Sequence, residues 1–173
     1  MPRNIEIKAR IASVEACLVR ARALAGTTPA VLIEQDDTFF AVPHGRLKLR
    51  RFADGCAELI HYTRPDSAAP KASDYVRVPV PDADALAEAL GRGLTVLGRV
   101  RKQRWLLLLG QTRIHLDRVA GLGDFMELEV VLDAAQTDAE GVAVAEQLMQ
   151  ALGLADAPRL AGAYLDLLAA APP

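Results

Sequence analysis

A chain of 173 residues has the length of one domain, since domains run about 100 to 200 residues, and a core of that size needs no metal or disulfide staple. Twenty basic against 22 acidic residues, a net charge of −2, leave no cationic excess for a nucleic-acid backbone. The apolar run over 105–109 falls far short of the ~20 residues needed to cross a bilayer.

Cys17 and Cys56 make no disulfide framework. Arg3, Glu6, Lys8 and Arg10 interrupt the N-terminus before any secretory pattern forms, so a reducing cytosol is the expected compartment.

In chain order, residues 4–11 alternate strictly, with Ile5, Ile7, Ala9 and Ile11 on one strand face and Asn4, Glu6, Lys8 and Arg10 on the other. Ser13 then caps a helix carrying Val14, Cys17, Leu18, Ala21 and Leu24 at helical spacing, and Gly26 ends it. Cys17 falls on that apolar stripe and reads as core. A strand is expected over 34–40, where Phe39 and Phe40 read as packing residues. Another sets Leu47 and Leu49 against Lys48 and Arg50, and a third spans 57–62 beyond a turn that exposes Cys56. Residues 65–73 read as a loop able to fold over an opening. A strand over 75–80 follows, with Pro79 and Pro81 marking an edge or end.

Asp82 or Asp84 starts a shorter helix holding Leu86 and Leu90, closed by Gly91 and Gly93. From Val100, Lys102 and Arg104 share a face with Val100 and Leu106 while Arg101 and Gln103 point away; Trp105 reads as packing. Ile114 and Leu116 oppose Arg113, His115 and Asp117. Beyond a turn at Gly121 and Gly123, Met126, Leu128, Val130 and Leu132 oppose Glu127 and Glu129. Thr137 and Glu140 form a capping box ahead of Val142, Ala145, Leu148, Met149 and Leu152, with Gly153 as the stop. A last short helix holds Tyr164, Leu165 and Leu168, and residues 169–173 are expected to fray.

Alternation of this kind ordinarily means an antiparallel sheet with its polar side in water. Here the charges are sorted by sign. Lys48, Arg50, Lys102, Arg104 and Arg64 form one group, and Asp117, Glu127 and Glu129 the other. If the sheet closes with polar faces inward and helices outside, these charges converge on a lumen. Such a density of buried charge requires counter-ions. A polyanion with a divalent metal supplies both signs. His44, His61 and His115 show no zinc spacing. His115 shares a face with Asp117, where a hydrogen-bonded structural role is expected ahead of a proton relay or a substrate contact.

Asn4-Ile5-Glu6-Ile7-Lys8 resembles the first-strand Glu-x-Glu-x-Lys of the CYTH domain, or triphosphate tunnel metalloenzyme, family, which includes class IV adenylate cyclases and thiamine or inorganic triphosphatases. The resemblance continues through Asp37-Thr38-Phe39-Phe40, Leu47-Lys48-Leu49-Arg50, the basic stretch 100–104, His115-Leu116-Asp117, the hairpin over 121–129 and the segment 162–168. It implies an α+β fold, an antiparallel eight-stranded closed β-barrel with helices packed outside, as one domain over 1–168.

Lys8, Lys48, Arg50, Arg64, Lys102 and Arg104 would bind the triphosphate. Glu6, Asp117, Glu127 and Glu129 would hold Mg2+ or Mn2+, with Glu6 and Lys8 in the catalytic role. The partners implied are a triphosphate small molecule (ATP, thiamine triphosphate or inorganic triphosphate) and, left open, a second copy in a homodimer; neither nucleic acid nor membrane is expected.

The chain departs from the pattern in three places. Asn4 replaces the first glutamate, Lys48 a usual arginine, and Arg64 or Lys71 stands where a middle-strand lysine belongs. The first departure keeps a second reading open, a polyphosphate- or phosphometabolite-binding module with little turnover.

Overall fold

The computed structural model describes residues 3–63 and 71–170, with 71–73 as backbone only. The elements are β1 (Arg3–Arg10), α1 (Val14–Ala25), β2 (Val31–Phe40), β3 (Arg46–Phe52), β4 (Ala57–Thr63), β5 (Lys71–Pro79), α2 (Ala83–Gly93), β6 (Val96–Leu109), β7 (Thr112–Val119), β8 (Gly123–Leu132), α3 (Asp138–Ala151) and α4 (Tyr164–Ala170). The strands close into one antiparallel barrel in the order β1-β5-β4-β3-β2-β6-β7-β8, the eight-stranded architecture expected. Among the described residues no helix is long and apolar enough to cross a membrane.

The period-two pattern sets which side is inside. Ile5, Ile7, Ile114, Leu116, Met126 and Leu128 point out of the barrel and are buried beneath Val14, Cys17 and Ala21 of α1 and Ala145 and Met149 of α3. The intervening residues, among them Asn4, Glu6, Lys8, Arg104 and Glu127, face the lumen. A second outer cluster joins Phe40, Leu49 and Ala57 to Leu86 and Leu90 of α2. Gly141 lets α3 seat closely, since a Cβ there would stand 2.5 Å from Leu132 Cδ2 and 2.7 Å from Ile5 Cγ1. That proximity explains a residue that otherwise costs a helix interior about 1 kcal/mol. Tyr164, the first residue of α4, packs with Phe39, Val100, Val119 and Phe125 and reaches the lumen.

The helix caps match the chain's signals: Ser13, Asp82 and Thr137 are the N-caps, and the Thr137–Glu140 box is complete. Strand starts differ from expectation. β2 and β6 begin at Val31 and Val96 instead of 34 and 100. Of the loop expected over 65–73, residues 65–70 lie outside the described residues and 71–73 belong to β5, whose residues 71–74 pair with β1 to close the ring. Pro79 ends that strand and needs no edge, because barrel closure leaves none. The last helix runs to Ala170, into the 169–173 segment expected to fray.

Candidate functional site

Two neighbouring strand pairs carry the same construction. On β3, Lys48 and Arg50 are spaced to point the same way, and Arg50 is the register partner of Asp37 on β2. Arg50 Nε and Nη2 donate to Asp37 Oδ1 and Oδ2, both at 2.7 Å, and Lys48 Nζ donates to Oδ2 at 2.8 Å. On β6, Lys102 and Arg104 repeat the spacing, with Arg104 opposite Asp117 on β7. Arg104 Nε donates to Asp117 Oδ1 at 2.7 Å and Nη2 to Oδ2 at 2.6 Å, while Lys102 Nζ donates to Oδ2 at 3.0 Å. The planar guanidinium fork fits a carboxylate in two-point contact, and the lysine adds a point charge.

The second clamp is tied further in. Tyr164 OH donates to Asp117 Oδ2 at 2.9 Å and Arg104 Nη2 to Glu127 Oε2 at 2.9 Å. The ammonium groups of Lys8 and Lys102 lie 4.1 and 5.0 Å from the Tyr164 ring centre, within cation–π range.

Burial alone would raise the pKa of both aspartates. Lys48 and Arg50 outweigh it at Asp37, as Arg104 and Lys102 do at Asp117, holding both well below the usual carboxylate range. Burial together with the neighbouring arginine pushes Lys48 down to about 8 and Lys102 down to about 7. Burial, seconded by Arg104, lowers His115 to about 4, so its ring is neutral at neutral pH.

The adjoining arc of the ring, β8 and β1, carries the glutamates. Register sets Glu6 beside Glu129 and Lys8 beside Glu127 across β1 and β8, and His115 beside Glu127 across β7 and β8. Arg113 Nε donates to Glu129 Oε2 at 2.7 Å. His115 Nδ1 lies 3.8 Å from Glu129 Oε1, and Lys8 Nζ lies 3.8 Å from Glu127 Oε1. His115, Glu127 and Glu129 offer ligand atoms all within 4.8 Å of one another, close enough for small side-chain shifts to bring them to ~2.1 Å from one ion. Among the described residues, Asn4 Oδ1, Gln35 Oε1 and His115 Nδ1 are buried without a hydrogen-bond partner, which is costly unless a ligand or water meets them. These donors fit a divalent cation.

The two arcs enclose a cavity of about 330 Å3. Of the residues predicted for the site, Glu6, Lys8, Lys48, Arg50, Lys102, Arg104, Glu127 and Glu129 all line it. Asp117, expected among the metal carboxylates, is fully buried behind them with both oxygens occupied by donors. Arg64 and the side chain of Lys71 lie outside the described residues.

Site residues not singled out from the sequence are Asp37, Arg113, Gln35 and Tyr164. The first three could have been found by strand parity, for Asp37 and Gln35 share a face with Phe39, and Arg113 with His115. Nothing local marks Tyr164.

The family model for the CYTH domain matches residues 2–164. Adenylate cyclase CyaB of Aeromonas hydrophila is 28% identical over 140 residues, 75% of this chain and 70% of that protein. The PH1012 protein of Pyrococcus horikoshii OT3 superimposes with a TM-score of 0.85 at 25% identity, covering 95% of this chain and 99% of that one. A Pyrococcus furiosus protein superimposes with a TM-score of 0.80 at 25% identity and the same coverage.

Proposed function

The chain belongs to the CYTH domain family, and from that premise we propose that it is an enzyme that binds a triphosphate inside the barrel with a divalent metal and cleaves or cyclises it. The observation that carries this reading is the convergence of Lys48, Arg50, Lys102 and Arg104 on the cavity that Glu127 and Glu129 also line. A triphosphate carries about four negative charges, and fixed cations neutralise them without reorganising during the reaction.

In this reading the substrate's phosphate oxygens displace Asp37 as the counter-ion of Lys48 and Arg50, while Lys102 and Arg104, more deeply anchored, set the position of the chain of phosphates. Lys8 completes the grip from the acidic side. Glu6 orients the attacking hydroxyl and takes its proton, and the lumen's depth excludes bulk water. Glu127 and Glu129 would hold Mg2+ or Mn2+, which when bound would supply Lewis-acid polarisation of the phosphoryl oxygens. Asn4, in place of a carboxylate, offers a carbonyl oxygen and one charge fewer.

Between the two chemistries, the CyaB relative favours cyclisation of ATP, with a ribose hydroxyl attacking the α-phosphorus and pyrophosphate leaving. Incubation with ATP, thiamine triphosphate and inorganic triphosphate in Mg2+ or Mn2+, followed by product separation, tests it. Cyclic AMP with pyrophosphate is expected from ATP. Orthophosphate from every substrate would make the protein a triphosphatase, and triphosphate binding without any product would leave a binding module, the reading that Asn4 motivates.

A further inference from the structure

We propose that His115 is a direct metal ligand, joining Glu127 and Glu129 in the position expected of Asp117, and that this mixed nitrogen and oxygen site selects a first-row transition ion such as Mn2+ over Mg2+. The inference deepens the reading of the tunnel as a metal-assisted site. It concerns which residues hold the ion and which ion they choose.

Asp117 is spoken for. Its Oδ1 takes Arg104 Nε, and its Oδ2 takes Lys102 Nζ, Arg104 Nη2 and the Tyr164 hydroxyl. Drawing it onto an ion would strip the counter-charge from two buried cations, a costly exchange in a low-dielectric interior. Two residues earlier on the same face of β7, His115 is 4% exposed and its Nδ1 has no hydrogen-bond partner among the described residues.

The orphaned nitrogen is aimed at the right company. Arg113 holds Glu129 by Oε2, leaving Oε1 turned toward the imidazole at 3.8 Å. That gap is too long for a hydrogen bond and suited to two ligands of one ion. Glu127, the register partner of His115, supplies the third donor within the 4.8 Å group.

Imidazole binds first-row transition ions, Mn2+ the weakest of them, better than it binds Mg2+, which takes oxygen ligands and keeps its waters. Replacing Asp117 by His115 also removes one negative charge from the ligand set. That loss weakens a hard, mainly electrostatic Mg2+ complex more than one with covalent metal–nitrogen character.

The test uses the full chain with Mn2+ alone and no triphosphate, so that it stands apart from turnover. Pulsed electron paramagnetic resonance of bound Mn2+ should show modulation from one directly coordinated imidazole nitrogen. His115→Leu should abolish that signal and weaken Mn2+ by more than ~100-fold, beyond the ~10- to 100-fold that loss of an outer-shell partner typically costs, with a smaller change for Mg2+ in competition titrations. The double variant His44→Asn/His61→Asn should keep the signal, which decides the matter even if His115→Leu fails to fold.

Bound Mn2+ with only oxygen ligands, a nitrogen signal that follows His44 or His61, or no stoichiometric Mn2+ uptake would each overturn the proposal. A nitrogen-ligated ion in a protein that consumes no triphosphate would instead leave this site standing and remove the catalytic reading.

Discussion

Lys48, Arg50 and Asp37 on one side of β2, and Lys102, Arg104 and Asp117 one strand pair further round, are the same device built twice. Each has two cations spaced i, i+2 on one strand and an aspartate on its neighbour, met through the same atoms. They differ in what surrounds them. The side chains of Lys48 and Arg50 are 13% and 12% exposed, those of Lys102 and Arg104 5% and 7%. Only the second clamp is bound also to Glu127 and Tyr164. Identical local chemistry thus sits in two settings, an inner clamp tied further into the barrel and an outer one with fewer ties, which in our proposal is the one that releases its aspartate to an incoming anion.

The two clamps differ most in what each contributes to stability. Arg104→Ala takes the guanidinium from Asp117 and Glu127 together, leaving Asp117 to Lys102 and Tyr164 and Glu127 beside Lys8, and should cost about 3–5 kcal/mol, the range for breaking a buried pair. Arg50→Ala leaves Lys48 on Asp37 and should cost about 2 kcal/mol, near the value of one charge-assisted contact. Arg99→Ala, which removes a pair with Asp36 on the outer face, should cost under ~1 kcal/mol. Urea unfolding of the three variants checks the order, and equal losses at Arg50 and Arg104 would erase the distinction between the clamps.

A smaller effect sharpens it. With Lys102 at about 7 and Lys48 at about 8, both lysines are partly neutral near pH 7.5, and Lys102 is the more so. An inserted polyanion raises both values, so binding takes protons up, ~1 proton in all at that pH by linkage. Calorimetric titration with tripolyphosphate in two buffers of different ionisation enthalpy measures this. Lys102→Ala should remove most of the uptake and Lys48→Ala the lesser part. Proton release would reverse the sign and refute the assignment.

Much of this arrangement is legible in the chain. The alternation of Ile5, Ile7 and Ala9 with Asn4, Glu6 and Lys8, and of Met126 and Leu128 with Glu127 and Glu129, marks two faces. Sorting of charge by sign marks which face turns inward. What the alternation could not carry is register. That Asp37 serves Arg50 and Asp117 serves Arg104 depends on which residues stand opposite across strands, a property of barrel closure. Tyr164 escapes for the same reason, because the seat of α4 is set by packing against Phe39, Val100 and Phe125.

Strand starts were lost where the period fails. Val31, Leu32 and Ile33 form an unbroken apolar run, and Gly98 interrupts the opening of β6. Asp117 shows what residue type leaves out, since a carboxylate in an acidic group is met by Lys102, Arg104 and Tyr164 once the neighbouring elements are in place.

A crystal structure grown with tripolyphosphate and Mn2+ would test most directly whether the lumen is the binding site. The phosphates should lie inside the barrel within hydrogen-bond reach of Lys48, Arg50, Lys102 and Arg104, with the metal against Glu127 and Glu129 and Asp37 turned away from its cations. Phosphate density on the outer surface, with both clamps still closed on their aspartates, would contradict it.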